Sequence, residues 1–291
     1  MSLASLVLDR VRGYVEERFL FPSCPGSKEL PAAPAGIQAS PVRLFDDLRR
    51  DGMLIFPRYL ESAEVNMVMS AAEEAYGGRR RDIITSDSAG SAYRYINNPL
   101  RLTQGILSLA CDPFLIGLIE LYFQCDVFLA DVDMRRVLPV TMEEFTGLSP
   151  QNAQGYSSSH WHYDMRGRQV KVMVYLTDVG EGDQNFAFCP RTHQSGSDVP
   201  RSRTDYQKSR FPEGWPETHG YRVVECYGQA GAVMMFDTNG IHRLRRTKRS
   251  QRDSVTFYYT PGQALRPLDY NPMDLAVIPA GMQRLFGGTR K

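Results

Sequence analysis

The sequence predicts a mainly β protein with flanking helices, in which a helical layer packs on one side of a β-sandwich or jelly roll. Three observations predict it. Apolar residues recur at helical spacing through much of the first 125 positions. After that point the texture changes to short β-branched and aromatic runs, bounded by Gly, Pro, Asp and Asn at fairly even intervals. No internal repeat interrupts this order, and helices followed by many short strands suit a layered α and β architecture.

Leu3, Leu6, Val7, Val11, Val15 and Phe19 fall on one helical face, so residues 1–20 read as an amphipathic helix. A Pro-, Ala- and Ser-rich connector follows, then a short helix over 42–49 and a compact strand at Met53-Leu-Ile-Phe-Pro57. Ser62 is the expected N-cap of a helix that runs to about Tyr76 and stops at Gly77-Gly78. Residues 79–98 read as an irregular loop carrying Tyr93 and Tyr95, and helical patterning returns over 99–123. Strands are expected at 127–137, 170–177, 186–189, 221–226, 232–236 and 254–260. Residues 199–218, with Trp215, form a long insertion of the kind that serves as a lid or as decoration. The expected division is one domain over 1–291: N-terminal helix and connector 1–40, helical support 41–125, jelly-roll core 126–262 and C-terminal tail 263–291.

The totals narrow the function classes. A chain of 291 residues that is 42% hydrophobic and 23% charged can bury a substantial core. A net charge of +1 gives no drive toward nucleic acid or anionic membrane. Five scattered cysteines (Cys24, Cys111, Cys125, Cys189, Cys226) without a CxxC pair argue for a reducing compartment and against structural zinc. Charges at Asp9, Arg10 and Arg12 come too early for a secretory leader, and no run is read as approaching the roughly 20 apolar residues of a membrane span. The expectation is a cytoplasmic protein with neither nucleic-acid nor membrane partners. Its oligomeric state is left open.

Five histidines occur: His160, His162, His193, His219 and His242. A lone histidine is usually structural, but His162-Tyr163-Asp164 changes that weighting. On a strand, residues two apart share a face about 7 Å apart, so His162 and Asp164 can converge while Tyr163 points away. His242 follows the strand pattern at 230–236 and the turn Asp237-Thr-Asn-Gly240. It would complete the set from a strand across the barrel. Two imidazoles and a carboxylate form the facial triad that suits ferrous iron and leaves positions open. His160 shares the face and is the rival ligand; it reads as an active-site wall.

Arg252 lies just beyond His242 and opens the strand pattern that carries Ser254 on the same face. A guanidinium fork there suits the far carboxylate of 2-oxoglutarate, with the Ser254 hydroxyl as a second donor. Arg243, Arg245, Arg246 and Arg249 compete but read as turn residues.

Several segments resemble the phytanoyl-CoA dioxygenase (PhyH-like) branch of the iron(II)/2-oxoglutarate oxygenases. They are Asp51-Gly-Met-Leu-Ile-Phe-Pro57, His162-Tyr-Asp164, Val170-Lys-Val-Met-Val-Tyr-Leu-Thr-Asp-Val179, Cys189-Pro-Arg-Thr-His193 and Gly231-Ala-Val-Met-Met-Phe-Asp-Thr-Asn-Gly-Ile-His242. The similarity runs from about 43 to 261. It implies a double-stranded β-helix core, Fe(II), and 2-oxoglutarate and O2 as cosubstrates, with succinate and carbon dioxide released. The chain departs from the family at Glu181-Gly-Asp-Gln-Asn-Phe-Ala-Phe188, and Arg191 stands where the PGSH-like segment has glycine. His193 matches that segment's histidine and is expected to be structural or near the site. Retention of Asp164 argues against a halogenase.

The expected activity is oxidation, by default hydroxylation, of a small organic metabolite or natural-product intermediate. Tyr93, Tyr95, Asn97, Arg135, Arg136, Arg166 and Trp215 are candidate pocket residues, and their cations favour an anionic substrate. The alternatives are a catalytically idle barrel that only binds, and a cupin-like metal enzyme that uses no 2-oxo acid.

Overall fold

In the computed structural model, residues 34, 37–88, 92–153, 158–165, 167–202, 205–261, 268–269 and 278–286 are described. The expected first helix, Cys24, Arg166 and most of the tail lie outside them. The expected helix at 42–49 is longer, Pro41–Asp51 (α1), because Ser40 caps it: the Ser40 Oγ accepts from the Arg43 N–H at 3.3 Å. Gly52 ends it at φ 78°, a left-handed turn, and a Cβ there would lie 2.4 Å from Nδ1 of His193. His193 is therefore structural: its ring fills the space beside Gly52 and its Nε2 meets the Arg49 carbonyl at 3.2 Å.

Strand β1 (Met53–Phe56) leads to helix α2 (Ser62–Tyr76). The N-cap is Glu61 and not Ser62, since the Glu61 N–H is taken by the Glu64 carboxylate at 2.9 Å. The expected loop at 79–98 contains a hairpin, β2 (Thr85–Ser88) and β3 (Tyr93–Ile96). The expected helical run at 99–123 is split into α3 (Gln104–Ala110) and α4 (Pro113–Phe123). Asp112 makes the break, accepting from the Phe114 and Leu115 N–H groups at 2.9 and 3.0 Å. The run Gln104–Phe123 is long and apolar enough, by length and composition alone, to cross a bilayer, which corrects the reading that no segment comes close. Most of it is buried here, packed as part of the helical layer.

The remaining strands are β4 (Phe128–Val137), β5 (Trp161–His162), β6 (Val170–Tyr175), β7 (Phe186–Cys189), β8 (Arg210–Phe211), β9 (Val224–Cys226), β10 (Val233–Asp237), β11 (Ile241–Leu244) and β12 (Arg252–Thr260). They form a seven-stranded sheet, β1-β10-β6-β12-β4-β3-β2, and a five-stranded sheet, β8-β5-β11-β7-β9. Every pairing is antiparallel. This is the jelly-roll core with its helical layer.

Side-chain alternation assigns each face of the large sheet. Val170, Val172, Val174, Val255, Phe257 and Tyr259 pack against the helices. The opposite face meets the small sheet through Tyr175, Met234 and Phe236 against Phe186, Phe188 and Cys226. Phe186 and Phe236 meet with ring centroids 4.3 Å apart. The outer face of the small sheet is covered by the insertion: Trp161, Tyr163 and Ile241 pack with Val199, Phe211 and Trp215. The insertion is thus neither lid nor decoration; it supplies the edge strand β8 and the outer cover.

Candidate metal and cosubstrate site

His162 and His242 stand directly opposite each other on β5 and β11, with ring centroids 4.3 Å apart. The expectation that the third ligand comes from across the barrel is corrected, since the two imidazoles are neighbours in one sheet. Asp164 lies just beyond β5, where its N–H donates to the Thr238 carbonyl at 2.8 Å. That bond keeps the chain extended long enough to return the carboxylate to the imidazoles. Its Oδ1 lies 3.6 Å from His162 Nε2 and 3.9 Å from His242 Nε2. One ligand atom from each of the three side chains falls within 4.8 Å of the others, a group that could hold a metal ion.

The surroundings suit that use. Nδ1 of His162 meets the His160 carbonyl at 2.8 Å, and Nδ1 of His242 meets the Gly240 carbonyl at 2.8 Å. Each imidazole then carries its proton on Nδ1 and presents a bare Nε2 lone pair. Burial lowers the pKa of both rings, that of His242 to about 4. Burial opposes ionisation of Asp164, but the Lys171 ammonium foremost, with the His242 and His162 rings beside it, outweighs it and holds the carboxyl below the ordinary range. Lys171, on β6 of the facing sheet, binds Oδ2 of Asp164 at 2.5 Å. That contact leaves Oδ1 toward the imidazoles. His160 serves the group through its carbonyl, and its ring is not part of the set.

One cavity connects these side chains to the inner face of β12, and its lining includes His162, His242, Lys171, Arg252, Thr256 and Tyr258. Arg252 is 3% exposed, and its Nε and Nη1 find no hydrogen-bond partner; neither does the buried Oγ of Ser254. Stranded donors of this kind are costly unless an acceptor arrives. They fit a carboxylate-bearing ligand. Of the competing arginines, Arg243 is on β11 and pairs with Glu213 at 2.5 Å, while Arg246 donates to Ser159 Oγ at 2.7 Å.

The other candidates separate. Arg135 lines the cavity, held by Asp133 and lying over the Tyr93 and Tyr95 rings. Arg136 points the other way, to Asp253 at 2.8 Å and to Glu73, and is a structural ion pair. Asn97 is exposed and bonds Ser86, and Trp215 is buried behind the small sheet. Sequence reasoning missed Lys171, although a lone charge alternating with Met173 and Tyr175 in an apolar strand was a visible signal. It also missed Tyr258, which lines the same cavity.

The fold is a jelly roll, and its site could hold a metal ion. The description of the phytanoyl-CoA dioxygenase (PhyH) family matches residues 48–250, and the chain belongs to that family of iron- and 2-oxoglutarate-dependent oxygenases. No curated protein matches the sequence. Among solved structures it is similar to the carbocyclase SnoK from nogalamycin biosynthesis, at 15% identity over 79% of this chain and 87% of that one, TM-score 0.56. It is also similar to the epimerase SnoN in complex with Fe3+, alpha ketoglutarate and nogalamycin RO, at 16% identity over 75% and 82%, TM-score 0.54. A third is HygX from Streptomyces hygroscopicus with nickel and 2-oxoglutarate bound, at 16% identity over 79% and 88%, TM-score 0.50. At these identities the likeness establishes the fold.

Proposed function

We propose that this protein is a non-haem Fe(II)- and 2-oxoglutarate-dependent dioxygenase that hydroxylates a small organic metabolite, releasing succinate and carbon dioxide. The observation that carries the reading is one cavity with two matched halves. Two neutral imidazoles and a carboxylate stand on one side, and the stranded Arg252 and Ser254 donors stand on the other. His162, Asp164 and His242 would hold the iron, and Arg252 with Ser254 would hold the distal carboxylate of 2-oxoglutarate.

When bound, iron and 2-oxoglutarate supply the oxygen activation that removes hydrogen from a substrate C–H bond. The chain's own contribution is positioning. Lys171 fixes Asp164 by its Oδ2, and the His160 and Gly240 carbonyls fix the imidazole tautomers. Phe186 and Phe236 wall the cavity beside His242, where they limit water.

The test is anaerobic addition of Fe(II) and 2-oxoglutarate, read by the weak visible charge-transfer band, followed by a succinate-release screen of candidate metabolites. A folded protein with no band and no calorimetric 2-oxoglutarate binding would return the idle-barrel or cupin-like alternative. Product analysis separates the chemistries: hydroxylation adds one oxygen, epimerisation leaves the mass unchanged, and ring closure removes two hydrogens.

A further inference from the structure

Arg210 is the first residue of β8, the edge strand contributed by the 199–218 insertion. Its register partner on β5 is His162, and His162 in turn pairs with His242 on β11. Direct cross-strand partners project from the same face, so Arg210, His162 and His242 form a row along the inner face of the small sheet. Nε and Nη1 of Arg210 are shut off from solvent without a hydrogen-bond partner. The guanidinium lies over the Tyr206 ring at 4.1 Å and makes no ion pair among the described residues, the Asp164 carboxylate acting on it only at longer range. Its charge is nevertheless felt at His162 and His242, where it further depresses their affinity for protons. Burial also pushes the Arg210 pKa itself down to about 10.

Other cations around the metal group already have acidic partners: Lys171 has Asp164, Arg135 has Asp133 and Arg243 has Glu213. Arg252 is committed to the cosubstrate in the reading above, on which this inference rests. Arg243 Nε and Arg246 Nη1 are likewise orphaned, but those side chains are held by Glu213 and by Ser159, whereas Arg210, in register with His162 on the small sheet, has no ion pair among the described residues. We propose that Arg210 is the anchor for a carboxylate on the organic substrate, so that the insertion strand selects small carboxylic acids and sets their distance from the metal. One unbalanced positive charge suits a monoanion, and the planar fork suits a carboxylate. A phosphate dianion would need a further cation.

Benzoate and inorganic phosphate are the probes, titrated by calorimetry into nickel-loaded, 2-oxoglutarate-saturated wild type, Arg210→Met and Arg210→Lys. The expected result is saturable benzoate binding to wild type, at least about tenfold weaker in Arg210→Met and partly restored in Arg210→Lys, with 2-oxoglutarate affinity equal in all three. Equal benzoate affinity in wild type and Arg210→Met, or no benzoate binding to wild type, overturns the proposal. Loss of 2-oxoglutarate affinity in Arg210→Met assigns the residue to the cosubstrate instead. Tighter binding of phosphate than benzoate, lost in Arg210→Met, overturns the carboxylate assignment. The Fe(II)–2-oxoglutarate band in wild type is read separately. Its absence defeats the dioxygenase reading, while benzoate titration of the nickel protein alone still decides the role of Arg210.

Discussion

Lys171 and Asp164 join the two sheets at the metal group: the ammonium of β6 on the large sheet binds the carboxylate that follows β5 on the small one, at 2.5 Å. Removing the carboxylate and removing its holder should have different effects. Asp164→Ala is expected to abolish succinate release and the Fe(II)–2-oxoglutarate band. Lys171→Met should keep the band but weaken metal binding about 10- to 100-fold, the usual effect of losing a partner that orients a ligand. Metal titration of both variants checks this, and an unchanged metal affinity in Lys171→Met would show that Asp164 is oriented without it.

Arg252→Ala should chiefly raise the 2-oxoglutarate requirement. Losing one partner of a buried charge pair costs about 2–5 kcal/mol, so KM for 2-oxoglutarate should rise by roughly 30-fold or more. Ser254→Ala should have a smaller effect in the same direction. A KM within a factor of two of wild type in Arg252→Ala would move the carboxylate anchor elsewhere.

The next residue, Asp253, works on the opposite face of β12. It is fully buried and is held by Arg136 at 2.8 Å. Arg136→Ala should destabilise the fold by about 3–5 kcal/mol by leaving that buried charge with the neutral Gln251 amide and no cation. The metal and 2-oxoglutarate affinities of the folded fraction should stay unchanged. Denaturant unfolding together with 2-oxoglutarate titration tests both halves, and wild-type stability would refute the structural assignment.

Acid should weaken the metal-free protein through the two ligand imidazoles. Their folded pKa values lie below the ordinary 6.5, with that of His242 at about 4. Between those values the unfolded chain takes up protons that the folded state refuses. Stability is therefore greatest above about pH 6.5 and falls as the pH drops toward 4. Thermal midpoints over that range should show a steeper fall in wild type than in a His162→Ala/His242→Ala variant. Identical slopes would remove the imidazoles as the cause.

The long β strands were legible because their burial alternates or is complete. The period of two also places Arg252 and Ser254 on one face of β12. The hairpin β2–β3 was not legible, because Thr85-Ser-Asp-Ser88 is a polar, mostly exposed edge with no apolar alternation. Strands β5 and β8 are two residues each, too short to give a period. That is why the adjacency of His162 and His242 was misplaced across the barrel: pairing partners are set by topology, not by local pattern. Arg210 escaped notice for the same reason, since only its register with His162 brings it to the site.

Tyr163, between the two candidate ligands, turns its ring to the far side of the sheet. There its hydroxyl donates to the Ser202 carbonyl at 3.1 Å and accepts from the Ser202 N–H at 2.5 Å. Three successive residues therefore face two tasks, and the middle one buttons the insertion onto the strand that holds the ligands. Such an insertion is a cassette. A substitution inside it changes the side chains of that cassette while the button keeps the reactive centre in register.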